Sequence, residues 1–172
     1  MTTPTLKDAF KILDSTPDKV RREVAAMSRR EVRTRPAPDK WSVVEILAHL
    51  EDIEGIGFRD RIRAILEEVR PTLAAIDQEG RARALRYDRK NPKSLLDSWT
   101  RQRRANLRWL KTLRPAQLKR RGVHEKVGRI SAEEFIYEWA FHDLGHLKQI
   151  LEVKRYGLFP RMGNMRQFYR LT

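Results

Sequence analysis

The 172-residue chain contains no cysteine, which excludes disulfides, thiolate metal sites and cysteine nucleophiles together. Glycine and proline are sparse, eight of each, and no glycine-rich loop that would cradle a phosphate is present. Long apolar runs are also missing, so no segment reaches membrane length. The opening stretch MTTPTLKDAFKILDS lacks the basic-then-apolar order of a secretory signal. A soluble, cytoplasmic protein of one domain, residues 1–172, is therefore expected. At this length a core can be buried without covalent staples.

Positive charge is abundant: Lys and Arg number 37 against 23 Asp and Glu, a formal net charge of +14. Such a balance attracts nucleic acid or acidic partners through its summed field. The cations are scattered, however, through RREV, RDRIR, RARALRYDRK, RQRR and KRR. No zinc-finger spacing or aromatic RNA-binding signature accompanies them. A solvated arginine-rich surface is favoured over a nucleic-acid footprint, which would cluster.

Apolar residues recur at helical spacing throughout. A first helix is expected over residues 6–27, in two pieces, with Pro17 ending one and starting the next. A second begins at WSVVEILAHLEDIE, where Ser42 and Glu45 form a capping box and Trp41 can staple onto Ile46. It is expected to run to about Val69, with Gly57 admitting a neighbouring helix. Residues 71–92 read as a long irregular crossover with a short helix in QEGRARAL, and a connection of that length is often functional. A third helix follows over residues 94–113. After the turn-rich RPAQLKRRGVHEKVGRI, the box of Ser131 and Glu134 starts a fourth helix that Gly157 would terminate. No strand pair is evident, and residues 158–172 read as a surface tail. The pattern is all-α, a four-helix bundle with a long crossover between helices two and three.

Of four histidines, three face inward. His142 and His146, four residues apart, lie about 40° apart around a helix and one turn apart along it, so both imidazoles can reach one point. His49 sits at the edge of helix two's apolar face. A lone inward histidine is ordinarily a core side chain satisfied by a carbonyl or carboxylate. Three together are costly to desolvate without a cation, which favours a shared divalent metal with coordination positions left open. Neutral imidazoles suit Zn, Ni, Cu or Fe. Glu45 and Glu138, each one turn before a histidine, are candidates for orienting an imidazole or accepting a proton, against capping and plain solvation respectively. Asp143 projects away from the pair toward solvent or a neighbouring helix. His124, in the GVHEKVG loop, reads as exposed, with a substrate contact as the sharper alternative.

WSVVEILAHLEDIE and the downstream HEKVGRISAEEFIYEWAFHDLGHLKQI together resemble the DinB-like (YfiT-type) superfamily. The resemblance extends over about residues 40–156. It implies a four-helix bundle holding a divalent metal, commonly nickel or zinc, on His49, His142 and His146. Trp99 and Arg103 resemble the family's aromatic-then-arginine pattern, and its loop histidine falls on His124, which makes Arg103 and His124 candidate substrate contacts. Relatives include transferases that use low-molecular-weight thiols (bacillithiol, mycothiol or glutathione) and a maleylpyruvate isomerase. The functional expectation is a metal-dependent enzyme, a thiol S-transferase or a hydrolase, acting on a small molecule. The alternative is a non-catalytic basic module for nucleic acid or an acidic partner. Aromatic residues near the tail, Phe159, Phe168 and Tyr169, raise the prospect of a homodimer.

Overall fold

The computed structural model describes residues 3–171; Met1, Thr2 and Thr172 of the expected domain lie outside the described residues. Helix α1 spans Leu6–Ala25 and is followed by the short α2, Arg29–Arg33. The second long rod is α3, Val43–Ile53, a π-helical turn at Glu54–Arg59, and α4, Asp60–Glu67. The crossover carries strand β1, Thr72–Leu73, helix α5, Gln78–Ala84, and a 3-10 turn at Tyr87–Arg89. Then come α6, Pro92–Leu110, α7, Pro115–Leu118, strands β2, Arg121–His124, and β3, Gly128–Ser131, and finally α8, Ala132–Leu158. No helix of the described residues is long and apolar enough to cross a membrane.

The four long elements pack in a ring: α1 lies against α8 and α6, and α3 against α6 and α8. The expected four-helix bundle is thus present. Its core is two apolar clusters, one around Val20, Leu47, Trp99 and Ile150 and the other around Leu13, Ile62, Leu110 and Trp139. Each helix changes character between them. Thr16 on α1, Glu54 at the π-turn, Arg103 and Asn106 on α6, and Asp143 and His146 on α8 are all buried. The bundle therefore has a polar waist between two apolar halves, and buried polar groups of this kind must find partners or a reason to lack them.

Several expectations need correction. Helix α1 runs straight through Pro17, which is buried inside it. Proline cannot donate to the carbonyl four residues back; that carbonyl, Leu13 O, instead accepts Arg103 Nη1 at 2.8 Å. Gly57 does not admit a neighbouring helix. A Cβ there would lie 2.3 Å from Ile53 Cγ2 in its own rod, so the widened turn itself requires glycine. Gly157 does not end α8, which continues to Leu158 and into a 3-10 segment at Phe159–Phe168; the tail glycine with positive φ is Gly163. A small sheet is also present. β1 pairs parallel with β2, and β2 antiparallel with β3, the hairpin turning at Gly128 (φ 77°). This sheet ties the crossover to the hairpin, and β3 leads directly into the Ser131 cap of α8.

Candidate metal centre

The site begins with two capped helices. On α8, Glu134 accepts the Ser131 backbone N–H at 2.6 Å and its hydroxyl at 2.7 Å, and the helix then presents His142 and His146 on successive turns. On α3, Glu45 accepts the Ser42 N–H at 2.9 Å and its hydroxyl at 2.6 Å. His49 follows one turn after Glu45 and is 1 % exposed. Trp41, just before the cap, packs its ring 5.0 Å from the His49 ring. The residue expected to staple the helix thus also walls the site.

The three imidazoles converge through the same atom. His142 Nε2 lies 3.1 Å from His49 Nε2 and 3.0 Å from His146 Nε2. Ligand atoms from all three lie within 4.8 Å of one another. Burial, with His146 adding to it, pushes the His49 imidazole down to about 3. Burial, then His146, His49 and Arg103, pushes His142 to about 2. Burial lowers His146 as well, with Gln149 opposing. All three shifts favour the neutral imidazole, the form that ligates metal. His146 Nδ1 lies 2.8 Å from Gln149 Oε1; donation there assigns the proton to Nδ1 and leaves Nε2 as a lone pair.

The donor set fits a divalent ion. Without one, three neutral Nε2 atoms crowd together and a proton can relieve only some of the contacts. The buried Nδ1 atoms of His49 and His142 have no hydrogen-bond partner among the described residues, so the rings are not held as ordinary core histidines. Metal–imidazole bonds of about 2.0–2.1 Å in tetrahedral geometry set nitrogens roughly 3.3 Å apart, close to the two shorter separations. Three protein ligands leave a position for water or substrate.

Cavities reach the cluster from two directions. One, of about 550 Å³, is lined by His146 with Trp41, Lys40, Lys148, Gln149 and Tyr156. The other, of about 230 Å³, is lined by His142 with Gly57, Arg61, His124, Lys126 and Glu138. Gln78, the first residue of α5, borders both. The crossover is positioned there by Asp52, which receives Arg81 at 2.7 and 2.8 Å and the Tyr87 hydroxyl at 2.6 Å.

The other candidates separate into those near the cluster and those committed elsewhere. Glu138 lines the His142 cavity. Glu138 is exposed, and what desolvation it has raises its pKa, with Arg61 opposing. His124 lines the same cavity from the end of β2 and is half-buried rather than exposed; its Nδ1 accepts the Lys126 N–H at 3.2 Å. Glu45 does not orient His49: it is shared between the Ser42 cap and the Arg35 guanidinium. Burial would raise its pKa, but Arg35 and Ser42 hold it below the ordinary range.

Arg103, expected to meet substrate, is 1 % exposed and all five of its N–H donors are taken. They go to Glu54 at 2.9 and 2.7 Å, Asp143 at 2.5 and 3.0 Å, and Leu13 O. Its guanidinium lies 5.2 Å from each of the Trp99 and Trp139 rings. Trp99 Nε1 and Asn106 Nδ2 complete Glu54 at 3.0 Å each. Asp143, expected toward solvent or a neighbouring helix, is 1 % exposed and belongs to this network. Burial alone would depress the guanidinium, but the charges of Asp143 and Glu54 hold it protonated. Arg61, Gln78 and Gln149 were not anticipated. Gln149, three residues after His146 on the same helix face, was readable from spacing; Arg61 and Gln78 reach the site only through the tertiary fold.

A helical bundle whose waist gathers three imidazoles able to hold a divalent ion is the class that fold and site define together. The DinB superfamily model matches residues 12–150, and the chain belongs to that superfamily. Its fold is similar to that of YfiT from Bacillus subtilis, with a TM-score of 0.81 and 20 % identity, covering 90 % of this chain and 89 % of that one. YfiT is described as a probable metal-dependent hydrolase with an unusual four-helix bundle topology. Against curated proteins the sequence finds no match.

Proposed function

We propose that the chain is a divalent-metal-dependent hydrolase with His49, His142 and His146 as ligands and Glu138 as the proton-transfer group. The observation that carries this reading is the convergence of three neutral Nε2 atoms on one point. Zinc and nickel are among the metals that suit such a donor set, and the family resemblance favours them. A bound divalent ion supplies Lewis acidity, which activates water at neutral pH. Glu138 lines the same cavity as His142, and its pKa is raised, the direction a general base needs. The described function of YfiT, which shares the fold, supports the same class.

A second reading, transfer to or from a low-molecular-weight thiol, is favoured by one feature. The separate cavity of about 550 Å³ on the His146 side is large enough for a second small-molecule reactant. Elemental analysis of the purified protein decides the metal. Hydrolysis of an ester and amide panel, beside conjugation of glutathione to an electrophile, then decides the reaction. Loss of both activities in His142→Ala is expected; full activity in that variant would refute the site. The basic-module alternative is weakened because Arg35, Arg81 and Arg103 turn to Glu45, Asp52 and the waist carboxylates. Part of the positive charge is therefore structural. Steeply salt-dependent binding of duplex DNA would restore that alternative.

The expected homodimer has a better surface than the tail. Phe141, Leu144, Leu151 and Leu158 are exposed on α8 at 80, 39, 42 and 66 %, and with Lys148 and Arg155 they alternate at spacings of three and four. An antiparallel copy of α8 would set each cation against a leucine rather than another cation. Sedimentation of Leu151→Glu beside the wild type tests this surface: a wild-type dimer that becomes monomeric supports it, and a monomeric wild type refutes it.

A further inference from the structure

The cavity on the His142 side carries more chemistry than proton transfer requires. Arg61 and Lys126 contribute cations to a space that Glu138 also lines, with Glu125, bound to the Ala75 N–H, near enough to act on Arg61. Arg61 is half-buried and makes no salt bridge within 4.0 Å among the described residues. Its hydrogen bond goes to Ala74 O, and its guanidinium lies 6.0 Å from the Phe135 ring. Burial depresses its pKa, with Glu138 and Glu125 opposing. His124 adds another donor. With Nδ1 accepting from Lys126 N–H, the neutral ring carries its proton on Nε2. The wall therefore offers three donor groups, two of them charged, and leaves guanidinium N–H groups without an acceptor among the described residues. At about 230 Å³ the space is below the roughly 300–1,000 Å³ of sites for drug-sized ligands.

We propose that this cavity is the substrate pocket and takes a small ester or amide bearing a carboxylate, which Arg61 holds with help from Lys126 and His124. The assignment rests on the hydrolase reading for its reacting bond, but not for its anion site. A guanidinium fork matches a carboxylate in a bidentate way. Phosphate has the same general chemistry, but a dianion would be repelled by Glu138 in the same small space, which selects the monoanion. Glu138, Arg61 and His142 line one cavity from α8 and α4, so an anchored substrate would present its other end toward the metal ligands.

Calorimetric titration with monomethyl succinate, and separately with inorganic phosphate, tests this in metal-loaded and chelator-stripped wild-type protein. The stripped protein isolates the anion site from carboxylate binding to the metal, and metal content is measured independently. Failure of the metal reading is thereby distinguishable from failure of this one. The expected result is binding of the succinate ester in both forms, weakened about ten- to a hundred-fold by Arg61→Met and less by Lys126→Met. Arg61→Lys should retain part of the affinity, and Lys148→Met, in the other cavity, all of it. Equal binding by folded Arg61→Met and wild type would overturn the proposal, as would loss of binding in Lys148→Met. Tighter binding of phosphate than of the ester would overturn the carboxylate assignment. Should Arg61→Met fail to fold, Arg61→Lys and Lys126→Met decide: unchanged affinity in both counts against the pocket.

Discussion

Two buried polar clusters share the waist of this bundle and are bonded in opposite ways. In the Arg103 cluster every guanidinium donor has an acceptor, and Glu54 and Asp143 are drawn to it from two other helices. In the histidine cluster the Nε2 atoms face one another and two Nδ1 atoms have no partner among the described residues. The first arrangement is complete without a ligand, as a structural buried ion network must be. The second is incomplete and borders two cavities. Both clusters lie inside the bundle, one an ion network and the other a set of imidazoles whose pKa values are all lowered. The difference lies in what remains unsatisfied, and that separates architecture from site.

Breaking the complete cluster should have the largest effect. Arg103→Met leaves Glu54 and Asp143 buried without their cation and should cost about 3–5 kcal/mol in urea denaturation. Adding Glu54→Gln and Asp143→Asn should recover much of that loss, because the isolated charges are then gone. Metal content per folded molecule should not change in either variant. If metal is lost in Arg103→Met protein that remains folded, the two clusters are one functional unit and the contrast fails.

Breaking the incomplete cluster should invert the pattern. His142→Leu removes a buried Nδ1 with no partner among the described residues but also the Nε2 that faces His49 and His146; the two terms offset, and the metal-free protein should change by no more than about 1–3 kcal/mol. Bound metal should disappear. A strongly destabilised metal-free His142→Leu protein would place this histidine among the core residues instead. Gln149→Leu sharpens the comparison from the side, since it frees His146 Nδ1 without touching Nε2. Metal affinity measured by chelator competition should fall about 10–100-fold, with stability of the metal-free form little altered.

Much of this waist was legible in the chain, and the unread parts share a cause. The bundle, its capping boxes and the inward histidines follow from spacing along single helices. Arg103 was misread although the apolar series Leu96, Trp99, Leu107 and Leu110 passes straight through its position; a charge on that stripe signals burial with a partner. Its partners Glu54 and Asp143 come from other helices, and Leu13 O is free only because Pro17 stands four residues later. The continuity of α1 and the role of Arg103 are therefore one fact, written 90 residues apart. β1 has only two residues and exists because β2 pairs with it, so no local periodicity announces the sheet that brings His124 to the cavity.

An acid dependence of the metal-stripped protein is expected as well, and its sign follows from the histidines. Folded His49 and His142 titrate at about 3 and about 2, against an ordinary 6.5, and His146 is also lowered. As pH falls below 6.5 the unfolded chain takes up protons at these rings while the folded chain does not, so stability declines toward the folded values and is fully present above 6.5. Each histidine adds at most about 1.4 kcal/mol per pH unit to that slope. Urea denaturation of stripped protein at pH 7.5, 6.5, 5.5 and 4.5 should show the decline. His49→Gln combined with His142→Leu should flatten it, while the background from carboxylates common to both proteins stays. The same slope in wild type and variant would mean that the folded protein accommodates charged imidazoles at the waist, and the cluster would lose its claim to a cation.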